Sequence, residues 1–137
     1  LVDGYNIIFA WDELNALAKD SLEAARHKLM DILCNYAGYR KCVPILVFDA
    51  YRVKGAGREQ ETWHNLHVIY TREAETADMF IERATHELAK NHRVRVVSSD
   101  GAEQIIILGN GALRVSARAF EREVRAVEAE IREFLDQ

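Results

Sequence analysis

Three apolar runs in this sequence each end in an aspartate, and that recurrence constrains the fold more than any other feature. Leu1-Val2 runs into Asp3, Val43-Pro44-Ile45-Leu46-Val47-Phe48 into Asp49, and Val94-Arg95-Val96-Val97-Ser98-Ser99 into Asp100. Near-continuous apolar runs suit parallel strands covered on both faces. In an open α/β sheet, the carboxyl ends of the strands line the crevice where ligands bind. Three strands are therefore expected to deliver one carboxylate each to a single edge of one sheet. Gly4 lets backbone or ligand approach closely, and Asn6 stands three residues after the Asp3 carboxylate.

The segments between these runs supply the helices. Residues 9 to 19 are expected to be a connection whose Trp11, Leu14 and Leu17 cover the core or the site. Asp20 with Glu23 resembles a capping box, opening a helix to about Tyr39. Its Leu22, Ala25, Leu29, Ile32, Leu33 and Tyr36 share one face at a 3.6 period. Residues 51 to 65 look least structured, and a loop of that length in a compact domain is usually functional or mobile. Residues 66 to 71 read as a short strand, at or near the edge. Thr76 is the natural N-cap of the next helix, which puts Asp78 in its first turn and turns Ala77, Phe80, Ile81, Ala84 and Leu88 inward. After the strand at 94 to 99, a short helix is expected from about Ala102 to Leu108. Gly109-Asn110-Gly111 then forms a turn, residues 112 to 115 a last strand, and Ser116 the cap of a final helix. That helix carries Phe120, Val124, Val127, Ile131 and Phe134 as one apolar stripe. The alternation predicts a three-layer α/β/α sandwich with a mainly parallel central sheet.

The 137 residues suit one domain, 1–137. Two residues before Asp3 are short for a strand, so the native chain is expected to begin upstream. With 18 Lys and Arg against 22 Asp and Glu the net charge is −4. No global basic field draws the chain to nucleic acid, so any such contact needs a local patch. Cys34 and Cys42 lack metal-ligand spacing and are expected to be reduced, buried thiols of a cytoplasmic protein. No stretch approaches the ~20 apolar residues of a membrane span.

Four carboxylates could share chemistry: Asp3, Asp49, Asp78 and Asp100. Strand carboxyl ends and the starts of following helices face the same side of such a sheet. Two carboxylates ~5 Å apart repel by ~3 kcal/mol at an effective dielectric of 20. A cluster of them must share protons or hold a divalent cation. Oxygen ligands without Cys or His suit Mg²⁺ or Mn²⁺ rather than zinc. A metal held in that way can serve phosphodiester hydrolysis by a metal-activated water. The plainer reading makes some of these residues helix caps or turn formers. Asn6 would hold a phosphate or a metal-bound water, or close the turn after the first strand. Ser98 and Ser99 can donate to a phosphate or be turn residues, and Thr76 is a cap first and a site residue second. Glu73 and Glu75 flank the helix start, either solvated or at the metal. Two basic groups could meet a nucleic-acid backbone. Arg52, Lys54 and Arg58 follow Asp49 in the loop and are favoured. Arg114, Arg118, Arg122 and Arg125, read as one face of the last helix, are interleaved with Glu121, Glu123 and Glu128 and suit a salt-bridge surface better.

Asp3-Gly4-Tyr5-Asn6, Val47-Phe48-Asp49, Glu75-Thr76-Ala77-Asp78 and Ser98-Ser99-Asp100, in this order, resemble the YacP-like branch of the NYN domains, ribonucleases related to the PIN domains. The resemblance covers essentially the whole chain. It implies a PIN-like fold and a Mg²⁺- or Mn²⁺-dependent endoribonuclease that cuts single-stranded RNA, with the ribosome as a partner. It further implies that Asp3, Asp49, Asp78 and Asp100 bind the metal, with Asn6 and Ser99 as polar neighbours. Residues 54 to 62 are shorter than the glycine-rich segment usual at that place in the family.

Two other functions compete. An RNA- or ribosome-binding module could keep the carboxylates without turnover. A phosphohydrolase or phosphoacceptor on a doubly wound sheet ranks third. The phosphatase version wants Asp-x-Asp after strand one, where position 5 is Tyr, and the phosphoacceptor wants a lysine after a late strand.

Overall fold

The computed structural model describes residues 1–49, 60–72, 74–98, 106–107 and 111–137. In chain order the elements are β1 (Val2–Asp3), α1 (Gly4–Ala10), α2 (Asp12–Asp20), α3 (Leu22–Arg40), β2 (Ile45–Phe48), β3 (Gln60–Trp63) and β4 (Leu66–Tyr70). They continue with α4 (Ala77–Leu88), β5 (Arg95–Ser98), β6 (Ile106–Ile107), β7 (Leu113–Ser116) and α5 (Ala117–Leu135). The strands form one sheet in the order β3-β4-β2-β1-β5-β7-β6. Its inner five strands are parallel, and the outer β3 and β6 pair antiparallel with β4 and β7. The expected three-layer sandwich with a mainly parallel sheet is what the chain forms.

The pleat decides which layer each strand residue meets. Val2, Leu46, Phe48, Val97 and Val115 join the main core with α1, α2, α3 and α5. Val47 and Val96 turn the other way, onto Ala77 and Ile81 of α4. Asp3 is in register with Val47, so its side chain lies on the α4 side. From β1 the chain moves outward through α3 to β2 and β4. It then crosses through α4 to β5 on the far side of β1. Crossovers that move in opposite directions and keep one hand must lie on opposite faces. That is why α3 and α4 sandwich the sheet, and why β1 sits where the strand order reverses.

α3 and α5 are long amphipathic helices. Burying Phe120, Val124 and Val127 of α5 almost completely contributes roughly 1.5–3 kcal/mol per side chain. Ser116 caps α5 by accepting from the Ala119 amide at 3.1 Å, as the sequence predicts. Trp11, fully buried, donates its Nε1–H to the Ala117 carbonyl at 2.8 Å and so ties the α1–α2 joint to the start of α5. Leu14 is fully buried too.

Several expectations need correction. The connection expected at 9 to 19 is two helices, α1 and α2, split by the extended backbone of Trp11 (φ −87°, ψ 125°). The cap of α3 is not Asp20, which ends α2, but Ser21. Its extended backbone separates the two helices, and its hydroxyl accepts from Ala24 at 3.0 Å. The stretch read as loop to residue 65 holds β3, which covers β4 and removes it from the edge. Ile106 and Ile107, expected in a helix, are strand residues paired to β7; the rest of that expected helix, and Gly109 and Asn110 of the turn, lie outside the described residues. Arg114 belongs to β7 rather than to the last helix. The stripe of α5 runs past the body, leaving Phe134 72% exposed. The two cysteines are free thiols, but Cys34 is half-buried and Cys42 exposed.

Candidate active site

β1 ends at Asp3, a residue 5% exposed whose carboxylate doubles as the N-cap of α1. Asn6 meets both of its oxygens: the backbone N–H reaches Oδ1 at 3.4 Å and the side-chain Nδ2–H donates to Oδ2 at 2.7 Å. Asn6 therefore orients this carboxylate and closes the turn after β1, the plainer of the two roles expected of it. Burial is the main force that lifts the Asp3 carboxyl from its ordinary 3.8 to about 6. The Asn6 amide opposes the rise, while the charges of Asp78 and Asp49 add to it. Asp78 also lies within hydrogen-bonding reach of Asp3. Two carboxylates that meet in this way repel when both are charged, a cost that a shared proton or a cation would relieve.

Asp78 comes from the first turn of α4, where Thr76 caps by accepting from the Met79 amide at 3.1 Å. The Thr76 hydroxyl is thus engaged as the cap. Asp49, half-buried at the end of β2, accepts at Oδ1 from the Ala77 amide at 2.7 Å. Strand alternation turns Phe48 into the main core and Asp49 toward α4. A β1 residue, a residue just past β2 and a helix start thus converge at one edge, as the sequence reading requires of Asp3, Asp49 and Asp78.

Gly4 proves necessary because of Phe48. A Cβ on Gly4 would lie 2.3 Å from one ring carbon of Phe48 and 2.6 Å from the next. The close approach at Gly4, expected of backbone or ligand, is made by an aromatic side chain instead. That ring is fully buried and packs on Tyr5, with centroids 5.0 Å apart, and on Tyr70, at 6.0 Å.

Asp100, Ser99, Arg52, Lys54, Arg58 and Glu73 lie outside the described residues. Glu75 is paired with Arg83 at 3.1 Å. Among the described residues, no group of three His, Cys, Asp or Glu side chains is arranged to hold a metal ion. They supply the pair Asp3 and Asp78, with Asp49 Oδ1 engaged by α4. This oxygen-only donor set fits a hard divalent cation better than zinc. Of the cations on the last helix, Arg125 is held by Glu13 and Glu128 at 2.8 and 2.9 Å, which makes that face a salt-bridge surface as expected.

Arg114 was missed as a neighbour of this edge. It is in register with Val96 on the α4 side of the sheet, and its Nε–H donates to the Ser98 hydroxyl at 3.2 Å. The alternation Leu113-Arg114-Val115-Ser116 was the available signal, since residues 112 to 115 read as a strand. Ser98 is buried and receives this bond.

No helix among the described residues is long and apolar enough to cross a membrane. The family description "YacP-like NYN domain" matches residues 1–137. The chain is 45% identical over 132 residues to YacP of Bacillus subtilis (strain 168), covering 96% of this chain and 77% of that protein. The fold is similar to the crystal structure of Rae1 (YacP) from Bacillus subtilis, with a TM-score of 0.82 and 42% identity over 98% of this chain and 78% of that one. A mutant of the same protein matches with a TM-score of 0.79 and 40% identity, over 96% of this chain and 77% of that one. NYN domains have a nuclease-type fold. With its four motifs in order and its full length matched, the chain belongs to the YacP-like NYN domain family.

Proposed function

We propose that the protein is a Mg²⁺- or Mn²⁺-dependent endoribonuclease that hydrolyses phosphodiester bonds in single-stranded RNA. The observation that carries this reading is the convergence of Asp3 and Asp78, 75 residues apart in sequence, within hydrogen-bonding reach of one another at the end of β1. Asp3 and Asp78 would hold the cation, joined by Asp100 on the motif likeness. A bound cation would supply a more acidic water and neutralise charge on the scissile phosphate. Asn6 keeps both Asp3 oxygens oriented, and Thr76 and Asp49 fix the helix start that presents Asp78. Arg52, Lys54 and Arg58 are proposed for the RNA backbone from their place in the chain after Asp49. The ribosome as the setting rests on the motif likeness alone.

The test is cleavage of single-stranded RNA with Mn²⁺ and with EDTA. Wild type should cut only with the cation. Asp3→Asn and Asp78→Asn should lose at least 100-fold in rate with circular dichroism unchanged. RNA binding without cation-dependent products would instead make this a silent binding module, and retained cleavage in both variants would remove the carboxylates from the mechanism.

A further inference from the structure

Among the described acidic motif residues Asp3, Asp49 and Asp78, Asp49 is set apart by one bond. The amide of Ala77 donates to Asp49 Oδ1 at 2.7 Å, across 28 residues of sequence. Ala77 is the first residue of α4, so its N–H is one of the four left unmet at a helix start. Thr76 caps locally through the Met79 amide. A local cap holds the helix together but says nothing about where the helix begins relative to the sheet. The bond from Asp49 does, because it comes from the end of β2. The apolar anchorage of α4 is small, with Val47, Ala77, Ile81 and Val96 as its buried members. Asp78 lies between the two capped amides, and its approach to Asp3 depends on where that turn stands.

Resting on the nuclease reading, we propose that Asp49 is a positioning residue. It docks the first turn of α4 on β2 so that Asp78 faces Asp3, and the needed property is an acceptor oxygen rather than a negative charge. Asparagine retains that oxygen, and alanine does not.

The experiment compares Asp49→Asn, Asp49→Ala and Asp78→Asn in the full chain. It measures single-stranded RNA cleavage, Mn²⁺ affinity by titration calorimetry, and amide exchange across the first turn of α4. Asp49→Asn should keep kcat within a few-fold of wild type and bind Mn²⁺ as wild type does. Asp49→Ala should lose about 100-fold in kcat, as expected when a reacting group shifts by about 1 Å, with KM for RNA little changed and exchange at Ala77 and Asp78 accelerated. If Asp49→Ala fails to fold, the asparagine variant decides the matter alone. Loss of Mn²⁺ affinity in Asp49→Asn equal to that in Asp78→Asn would make Asp49 a ligand and overturn the proposal while leaving the nuclease standing. Should wild type not cleave RNA, the nuclease reading falls. The docking role is then judged on exchange: acceleration by alanine but not asparagine upholds it, and any other pattern overturns it.

Discussion

Gly4→Ala perturbs the site through packing alone. The added Cβ would stand 2.3, 2.6 and 3.0 Å from three carbons of the Phe48 ring. Ordinary contacts begin near 3.4 Å, so ring or helix must retreat by roughly 1 Å, at the cost of overpacking a filled core. Phe48 has little room to retreat: it is fully buried, with Tyr5 and Tyr70 against it. Overpacking of this kind costs about 1–3 kcal/mol, against at most about 1 kcal/mol gained by replacing a helical glycine. The net expectation is a loss of roughly 1–2 kcal/mol, which lowers the urea midpoint by roughly 0.5–1 M at unchanged slope. The discriminating measurement is a double-mutant cycle with Phe48→Leu, which removes the outer ring carbons. The pair should be at least ~1 kcal/mol more stable than the sum of the single losses. Simple additivity, or a Gly4→Ala protein as stable as wild type, would show that Gly4 is not there to admit the ring.

Two further expectations follow from the electrostatics. The raised Asp3 carboxyl is charged at neutral pH only at a cost to the fold, so Mn²⁺ should raise the melting temperature at pH 7.5. The gain approaches ~2.7 kcal/mol at a hundredfold excess over Kd, and it should shrink in Asp78→Asn; equal gains in both proteins would refute the shared site. Far from that edge, Glu123 receives Arg95 at 2.7 and 3.0 Å, which holds its carboxyl below the usual range. A depressed carboxyl gives stability that is present above the unfolded value and lost as pH falls through the folded one. Wild type should therefore exceed Glu123→Gln by about 1 kcal/mol at pH 7, the difference vanishing in acid; urea unfolding at a series of pH values checks it, and a pH-independent difference would refute it.

The parts of the fold that could be read from sequence carry a repeating physical signature. The buried strands are continuous apolar runs, and α4 and α5 announce themselves by Thr76 and Ser116 ahead of a 3.6-period stripe. The parts that escaped are those whose local pattern is ambiguous. α1 is too short to show a period, α2 opens without a side-chain cap to mark its start, and Trp11, the residue between them, looks like any buried aromatic. β3 is a polar edge strand, recognisable only by the partner it covers. Ile106-Ile107 is a short apolar run of the kind that periodicity cannot divide between helix and strand. Phe134 fits the stripe of α5 perfectly and still finds no core, because a stripe records the helix's own geometry and not the extent of what it packs against.

The same limit separates the two kinds of knowledge about the site. That Asp3, Asp49 and Asp78 gather at one edge follows from strand direction and helix starts, which the sequence displays. What each does depends on the pleat and on the crossover through α4. Asp3 and Val47 share a face because β1 and β2 are parallel and in that register. α4 lies on that face because the chain reverses its direction of travel across the sheet at β1. Had the strand after α4 been added beyond β4, the same handedness would have put its crossover helix on the α3 side, away from Asp3. The chemistry thus hangs on the reversal: it brings a helix start to a strand end whose carboxylate, Asp3, already faces that side and whose neighbouring carboxylate, Asp49, seats the helix.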